Sequence, residues 1–224
     1  MATLEVYHHT LCPFSRKLRI VLTEKKIDFE LVLERYWERR EAFMSLNPAG
    51  ETPVIIMPDT IILSSNTAIF EYLEEVHNEK NLIGTNALQR AFIRRVCDWF
   101  DNKFYLEVSR YLIMEKVIKV ISKTGEPNSN AIRAAKKNLT YHLDYIAYLL
   151  KENDYLCGEV PSLGDFAAAA QLSVLDFLGD VSWDRDTKVK HWYSLIKSRP
   201  SFKSILNDKL PHFHPPQHYS DPDF

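Results

Sequence analysis

At 224 residues, with 46% apolar and 26% charged side chains, the chain holds enough apolar material for one large buried core or two small ones. A formal net charge of −2 gives no electrostatic pull toward nucleic acid or an anionic membrane surface, so neither is expected as a partner. Cys12, Cys97 and Cys157 are odd in number and lack metal-ligand spacing; with no leader-like N-terminus and no run of transmembrane length, free thiols in a reducing cytoplasm are expected, and no metal site.

Leu4-Glu5-Val6-Tyr7 alternates as a short strand. Leu11-Cys12-Pro13-Phe14 turns into a helix with Leu18, Val21 and Leu22 on one face, and a proline near its start removes no needed hydrogen bond. Phe29-Glu30-Leu31-Val32-Leu33 is a second strand, so the order strand, helix, strand predicts a parallel pair with a right-handed crossover. Tyr36-Trp37-Glu38-Arg39-Arg40 is a polar connection into a short helix ending near Leu46. Val54-Ile55-Ile56 and Thr60-Ile61-Ile62-Leu63, joined by Met57-Pro58-Asp59, predict a hairpin, and a helix follows from about Thr67 to His77. This is the plan of a thioredoxin-like domain over residues 1–80.

Beyond Gly84 the strand signals stop. Ile93, Val96, Phe100 and Phe104 recur at three- and four-residue steps and predict a long helix from Ala87 to about Ser122. Ile132, Ala135, Leu139, Leu143, Ile146 and Leu150 mark a second. Ser162 opens a third, with Asp165 three residues on in a capping-box pattern that substitutes aspartate for the usual glutamate. The run from Phe166 to Leu178 is almost wholly apolar, which predicts a central buried helix. Shorter helices are expected over about Lys188 to Ser198 and Ser201 to Asn207, completing an all-helical domain over residues 87–210. The tail, 211–224, carries Pro211, Pro215, Pro216 and Pro222 among Phe213, Tyr219 and Phe224, and is expected to be extended without regular structure.

Three motifs in this order resemble one family. Asn47-Pro48-Ala49-Gly50-Glu51-Thr52-Pro53-Val54 resembles the loop before the third strand of glutathione transferases, in which the proline is cis. Tyr155-Leu156-Cys157-Gly158 with Ser162-Leu163-Gly164-Asp165-Phe166-Ala167 resembles the helical-domain signature, and Arg199-Pro200-Ser201-Phe202 a late motif of the same family. The resemblance implies an α/β plus all-α architecture and a two-fold homodimer. More narrowly, Trp37-Glu38-Arg39-Arg40, the segment Asp98 to Phe104 and the tail from Pro215 to Phe224 resemble a bacterial subgroup of transferase-fold division proteins that bind the filament protein FtsZ, the tail being needed for that role. A cytoplasmic position at the division site, with an FtsZ-like filament protein as partner, is what that resemblance implies.

Cys12 and Ser15, at the start of the first helix, are the candidate catalytic residues. Helix-end amides favour a thiolate, and transferase classes use a cysteine here for mixed disulfides or a serine to hold the glutathione thiolate; the alternative is a buried small residue and a helix cap. Thr52 and Pro53 occupy the position whose backbone pairs with glutathione in the family. Ser65 and Asn66 fall where the family usually has an acidic residue and then a serine gripping the γ-glutamyl group. Ser65 supplies no charge, and the loss of one charged hydrogen bond, on the order of 1.5–3 kcal/mol, weakens the expectation that glutathione binds. No cofactor is required by the sequence. Two functions follow: a scaffold that contacts its partner through Trp37, Arg39, Arg40, Tyr219, Asp221, Asp223 and Phe224, or an active glutathione-dependent transferase. For the tail, disorder and packing against its own domain remain open beside recognition. His8 and His9, with no third ligand in sight, read as structural.

Overall fold

The computed structural model describes residues 3–221. Strands β1 (Leu4–His8), β2 (Phe29–Leu33), β3 (Val54–Ile56) and β4 (Ile62–Ser64) form one sheet in the order β2-β1-β3-β4. β1 and β2 run parallel, Leu4 opposite Phe29, as the intervening helix α1 (Pro13–Glu24) requires; β3 is antiparallel to β1 and to β4. Leu4, Val6 and His8 alternate inward along β1. The hairpin closes through Met57 and Ile61, so β4 begins two residues later than the apolar run suggests. Helices α2 (Glu41–Leu46) and α3 (Asn66–Val76) complete this layer.

The helical layer opens with α4, one continuous rod over residues 87–122. Its first part, Ala87–Asp98, is α-helical, and it widens into π-type turns over Trp99–Ser109 and again over Met114–Ile118. Helices α5 (Ser129–Leu149), α6 (Leu163–Phe177), α7 (Thr187–Lys197) and α8 (Pro200–Leu206) follow. Every residue of α6 is buried, as its apolar run predicts. The capping box is present: Asp165 accepts from the Ser162 backbone N–H at 2.9 Å, and its other oxygen accepts from Leu156 N and from Trp192 Nε1 at 2.8 and 2.9 Å. One carboxylate thus fixes the start of α6, the loop before it and α7. Gly164 lets α6 lie against α4, since a Cβ there would stand 3.0 Å from Val96.

α1 packs against helices α6 and α8, and its Leu18, Val21 and Leu22 share one core with Leu4 and Val6 of β1. Its apolar face carries Leu18, Val21 and Leu22, but Arg16, Lys17 and Arg19 are buried as well. Each finds a partner across the layers: Arg16 donates to the Thr10 carbonyl and to Ser173, Lys17 to Asp101, and Arg19 to Asp208. At the helix end, Glu24 accepts from Arg199, Lys80 and Ser201; burial alone would raise this carboxyl, but those bonds outweigh it and hold it near 2. Two layers of structure are therefore joined through ion pairs as well as through one shared apolar core.

Candidate functional site

The start of α1, the loop before β3 and the turn into α3 face α4 across a cleft of about 740 Å³. Cys12 precedes α1 in extended backbone, and its thiol donates to the Thr52 carbonyl at 3.3 Å. The Thr52–Pro53 bond is cis. The backbone acceptor that the family resemblance assigns to glutathione therefore already holds a thiol of the chain itself. Tyr36 and Tyr105 line the same wall, and burial raises both phenols, Tyr105 to about 12, with Cys12 adding to each shift. Ser15 is not on this wall. It is fully buried and its hydroxyl has no hydrogen-bond partner among the described residues, so packing inside the layer withdraws the one group expected to hold a glutathione thiolate.

Ser65 and Asn66 both reach the cleft. Ser65 sits at φ +75°, a conformation costly for an L-residue. Asn66 Nδ2 donates to Asp101 Oδ2 at 2.9 Å, and the same oxygen accepts from Lys17 Nζ at 2.6 Å. The Lys17 ammonium also lies 4.2 Å from the Phe70 ring centre. Three helices, α1, α3 and α4, are pinned together here. A ligand bearing both an ammonium and a carboxylate finds the two complementary charges already committed to each other. The widened turns of α4 carry Asp101, Asn102 and Tyr105 to this wall, and π-type turns gather at functional sites. At one edge, Arg94 forks onto Glu71 at 2.7 and 2.8 Å.

The second group of predicted residues adjoins the cleft at Tyr36. Tyr36–Glu38 form a 3₁₀ turn that ends with Arg39 at φ +47°. Trp37 is half-buried, edge-on to His9 with ring centres 4.8 Å apart. Arg40 is bound to Glu34, whose side chain is fully buried. Both arginines are exposed, but Trp37 is not the exposed aromatic expected beside them; the indole needs cover, and the buried Glu34 carboxylate needs the Arg40 cation.

The tail also departs from expectation. Leu210 and Phe213 close a single bridge, and Gln217–Ser220 is a 3₁₀ turn. Tyr219, read from the sequence as a side chain offered to a partner, is 1% exposed, because its ring completes an apolar cluster of its own chain. That cluster joins Tyr219 and Phe213 with Trp37, Leu11 and the far end of α4 at Ile113 and Val117. The Trp37 turn and the tail thus rest on one foundation. Asp221 is exposed; Asp223 and Phe224 lie outside the described residues. His8 and His9 stand beneath, both buried. Burial, with Arg19 next for His8 and His8 next for His9, lowers each from the usual 6.5 to about 4.

Sequence reasoning missed Lys17, Asp101, Asp176 and Lys197. A triplet such as Ser15-Arg16-Lys17 before apolar residues reads as a solvated helix edge, and only the remote partners reveal its burial. Among the described residues no group of His, Cys, Asp and Glu is placed to hold a metal, and no helix is long and apolar enough to cross a membrane.

Residues 6–81 match the family model described as glutathione S-transferase, N-terminal domain. Over an alignment of 222 residues the chain is 42% identical to FtsZ-localized protein A of Caulobacter vibrioides, covering 98% of this chain and 97% of that protein. The chain belongs to the glutathione S-transferase family. Two solved structures agree with this family over nearly the full length. A glutathione S-transferase from Rhodospirillum rubrum superposes with a TM-score of 0.95 at 42% identity, covering 99% of this chain and 100% of the other. FzlA from C. crescentus superposes with a TM-score of 0.96 at 41% identity, again covering 99% and 100%. Within the family, then, this chain keeps the sheet, the cis-proline loop and the cleft, and pairs Lys17 with Asp101 inside that cleft.

Proposed function

We propose that this protein is a transferase-fold scaffold that binds FtsZ filaments through a composite surface built from the tail and the Trp37–Arg39 turn. The observation that carries this reading is the single cluster that seats Trp37, Phe213 and Tyr219 together and adjoins the cleft wall at Tyr36 and Ile113. Fold gives no function by itself, and the full-length likeness to FtsZ-localized protein A supports this partner over an electrophile. The cleft favours the same side: Lys17 and Asn66 both donate to Asp101, and the Thr52 carbonyl accepts from Cys12, so the charges that a glutathione would meet there are already paired. The protein works in the cytoplasm at the division site. It acts as a homodimer, whose two tails capture a filament bivalently and raise avidity without new contacts.

The test is co-sedimentation with FtsZ polymers. The full chain is expected in the pellet, a chain lacking residues 215–224 in the supernatant, and Cys12→Ala unchanged from the full chain. Calorimetry with reduced glutathione runs beside it. Saturable binding at millimolar concentration, combined with an unchanged pellet for the truncated chain, would reverse the reading in favour of a glutathione-dependent transferase.

A further inference from the structure

The tail is held by buried charged and aromatic groups, which is unusual for a terminal segment. Pro216 packs over Gly179, whose φ of +69° and missing Cβ allow the approach: a Cβ would stand 3.2 Å from the proline ring. Just beyond, the 3₁₀ turn delivers two consecutive residues to the helical layer. The carbonyl of His218 accepts from Lys197 Nζ at 2.8 Å, and His218 Nε2 lies 2.9 Å from Asp176 Oδ1. The Lys197 and Asp176 side chains are both fully buried and stand 3.7 Å apart. Asp176 also accepts from Trp183 Nε1 at 2.8 Å.

Tyr219 enters next to them. Its ring is edge-on to Phe177 with centres 5.3 Å apart. The Arg16 guanidinium and the Lys197 ammonium lie 6.0 and 5.9 Å from the ring centre, and its hydroxyl donates to the Ile205 carbonyl at 3.2 Å. An aromatic face suits two cations that have been withdrawn from water. Undocking the turn would strip the Lys197 ammonium of a carbonyl acceptor and Asp176 of an imidazole, and a buried group left without its partner is costly. The turn therefore belongs to the fold of the helical layer.

We infer that His218 and Tyr219 form a latch that presents the tail to its partner already docked, so that Tyr219 is a positioning residue and never enters the partner. This rests on the proposal that the tail meets the FtsZ filament. A docked segment has lost its conformational freedom on folding, so little more is lost on binding. A free peptide of the same sequence must still lose it.

The experiment has two independent readouts on the full chain: hydrogen exchange of residues 211–221, and co-sedimentation with FtsZ polymers. The proteins are the wild type, Tyr219→Phe, Tyr219→Ala and His218→Ala, the last replacing a side chain that is 36% exposed and leaving the aromatic core intact. Tyr219→Phe is expected to match the wild type. Tyr219→Ala is expected to lose exchange protection in the tail while α5 keeps its own, and to bind at least tenfold more weakly. His218→Ala is expected to fall between them and keeps the test open if Tyr219→Ala does not fold. A synthetic peptide of residues 211–224 is expected not to displace the full chain from filaments.

The latch is overturned if the wild-type tail exchanges as fast as the tail of Tyr219→Ala. Presentation in the docked state is overturned if freeing the tail leaves binding unchanged, or if the peptide competes at the concentration of the intact chain. Failure of the wild type to sediment at all sinks the filament reading and the use of the tail with it. Exchange then still reports whether the latch exists, so the two failures are told apart.

Discussion

In the cleft, Lys17 meets Asp101 at 2.6 Å beside an open volume of about 740 Å³. Beneath the tail, Lys197 meets the carbonyl of His218 at 2.8 Å and lies 3.7 Å from Asp176, with both side chains fully buried. Both places hold an ammonium with little access to water, and burial lowers the pKa of Lys197 against the opposing pull of Asp176. They differ in what the pairing achieves. The cleft pair ties three helices and cancels charge where a ligand would need it. The tail pair lends its charges to a segment that would otherwise be loose. A retained cavity is thus the less suggestive of the two places, because its opposite charges are already paired with each other, whereas Lys197 and Asp176 reach out of the helical layer to fasten the tail.

The largest effect expected is at the tail. Removing the Tyr219 ring from its cluster should cost about 4 kcal/mol, the range for a buried aromatic cut to alanine. For a chain of this size that lowers Tm by roughly 10 °C. Tyr219→Phe keeps the ring, loses the hydroxyl's bond to the Ile205 carbonyl and its contact with Arg16, and should stay within about 1.5 kcal/mol of the wild type. Thermal unfolding of the three proteins decides it. Equal stability for all of them would mean that the tail is no part of the core, and the contrast with the cleft would vanish.

Lys17→Ala comes next, at about 3 kcal/mol, because Asp101 would keep its charge in a largely buried place without its cation. The sharper measurement is the double variant Lys17→Met with Asp101→Leu. Replacing both partners by apolar groups should recover more than half of the loss in denaturant unfolding. A double variant as unstable as the single one would show that the pair is worth more than its desolvation, and that the cleft depends on it as the tail depends on Lys197.

How far these two regions could be read in advance differs for a physical reason. Val6 and its alternating neighbours, the Pro58-Asp59 turn, the apolar run of α6 and the Ser162–Asp165 box are local signals, and each appears in the structure where its pattern puts it. Cys12, Thr52, Ser65 and Asn66 also come together at one cleft, since the family motifs fix the loops that bear them. What was not legible is every burial decided by a remote partner. Arg16 and Lys197 look solvated until Ser173, Asp176 and Tyr219 are seen around them. For the same reason a proline-rich tail read as extended turns out to contain a buried tyrosine, and Ser15 reads as a catalytic candidate although it is sealed inside the layer.

His8 and His9 are buried, His9 against Tyr36 and Trp37, and their effect depends on pH. Folding lowers each ring from 6.5 to about 4 by burial, so between those values the unfolded chain binds protons that the folded chain refuses. Stability is therefore full above about pH 6.5 and falls as the pH drops toward 4, by about 2 kcal/mol for each ring at pH 5. Urea unfolding at pH 7, 6 and 5 measures the slope, and His9→Gln should roughly halve it. A flat profile would show that both rings reach water in the folded chain, and a halved one that a single ring does.

The smallest effect separates two ion pairs of the same cleft. Arg94 and Glu71 make a well-formed fork, yet their side chains are 47% and 37% exposed. The bond from Arg94 lowers the Glu71 carboxyl, against a smaller opposing effect of burial, but solvent screens most of what that shift would represent. Arg94→Ala should cost under about 1 kcal/mol, and the difference from wild type should disappear in 1 M salt, where the Debye length is about 3 Å. The loss in Lys17→Ala should persist at the same salt, because ions do not reach a side chain that is 2% exposed. Denaturant midpoints of both variants at low and high salt provide the comparison. If the two losses shrank together, Lys17 would be reached by solvent through the cleft, and the lock described for α1, α3 and α4 would be open to a charged ligand after all.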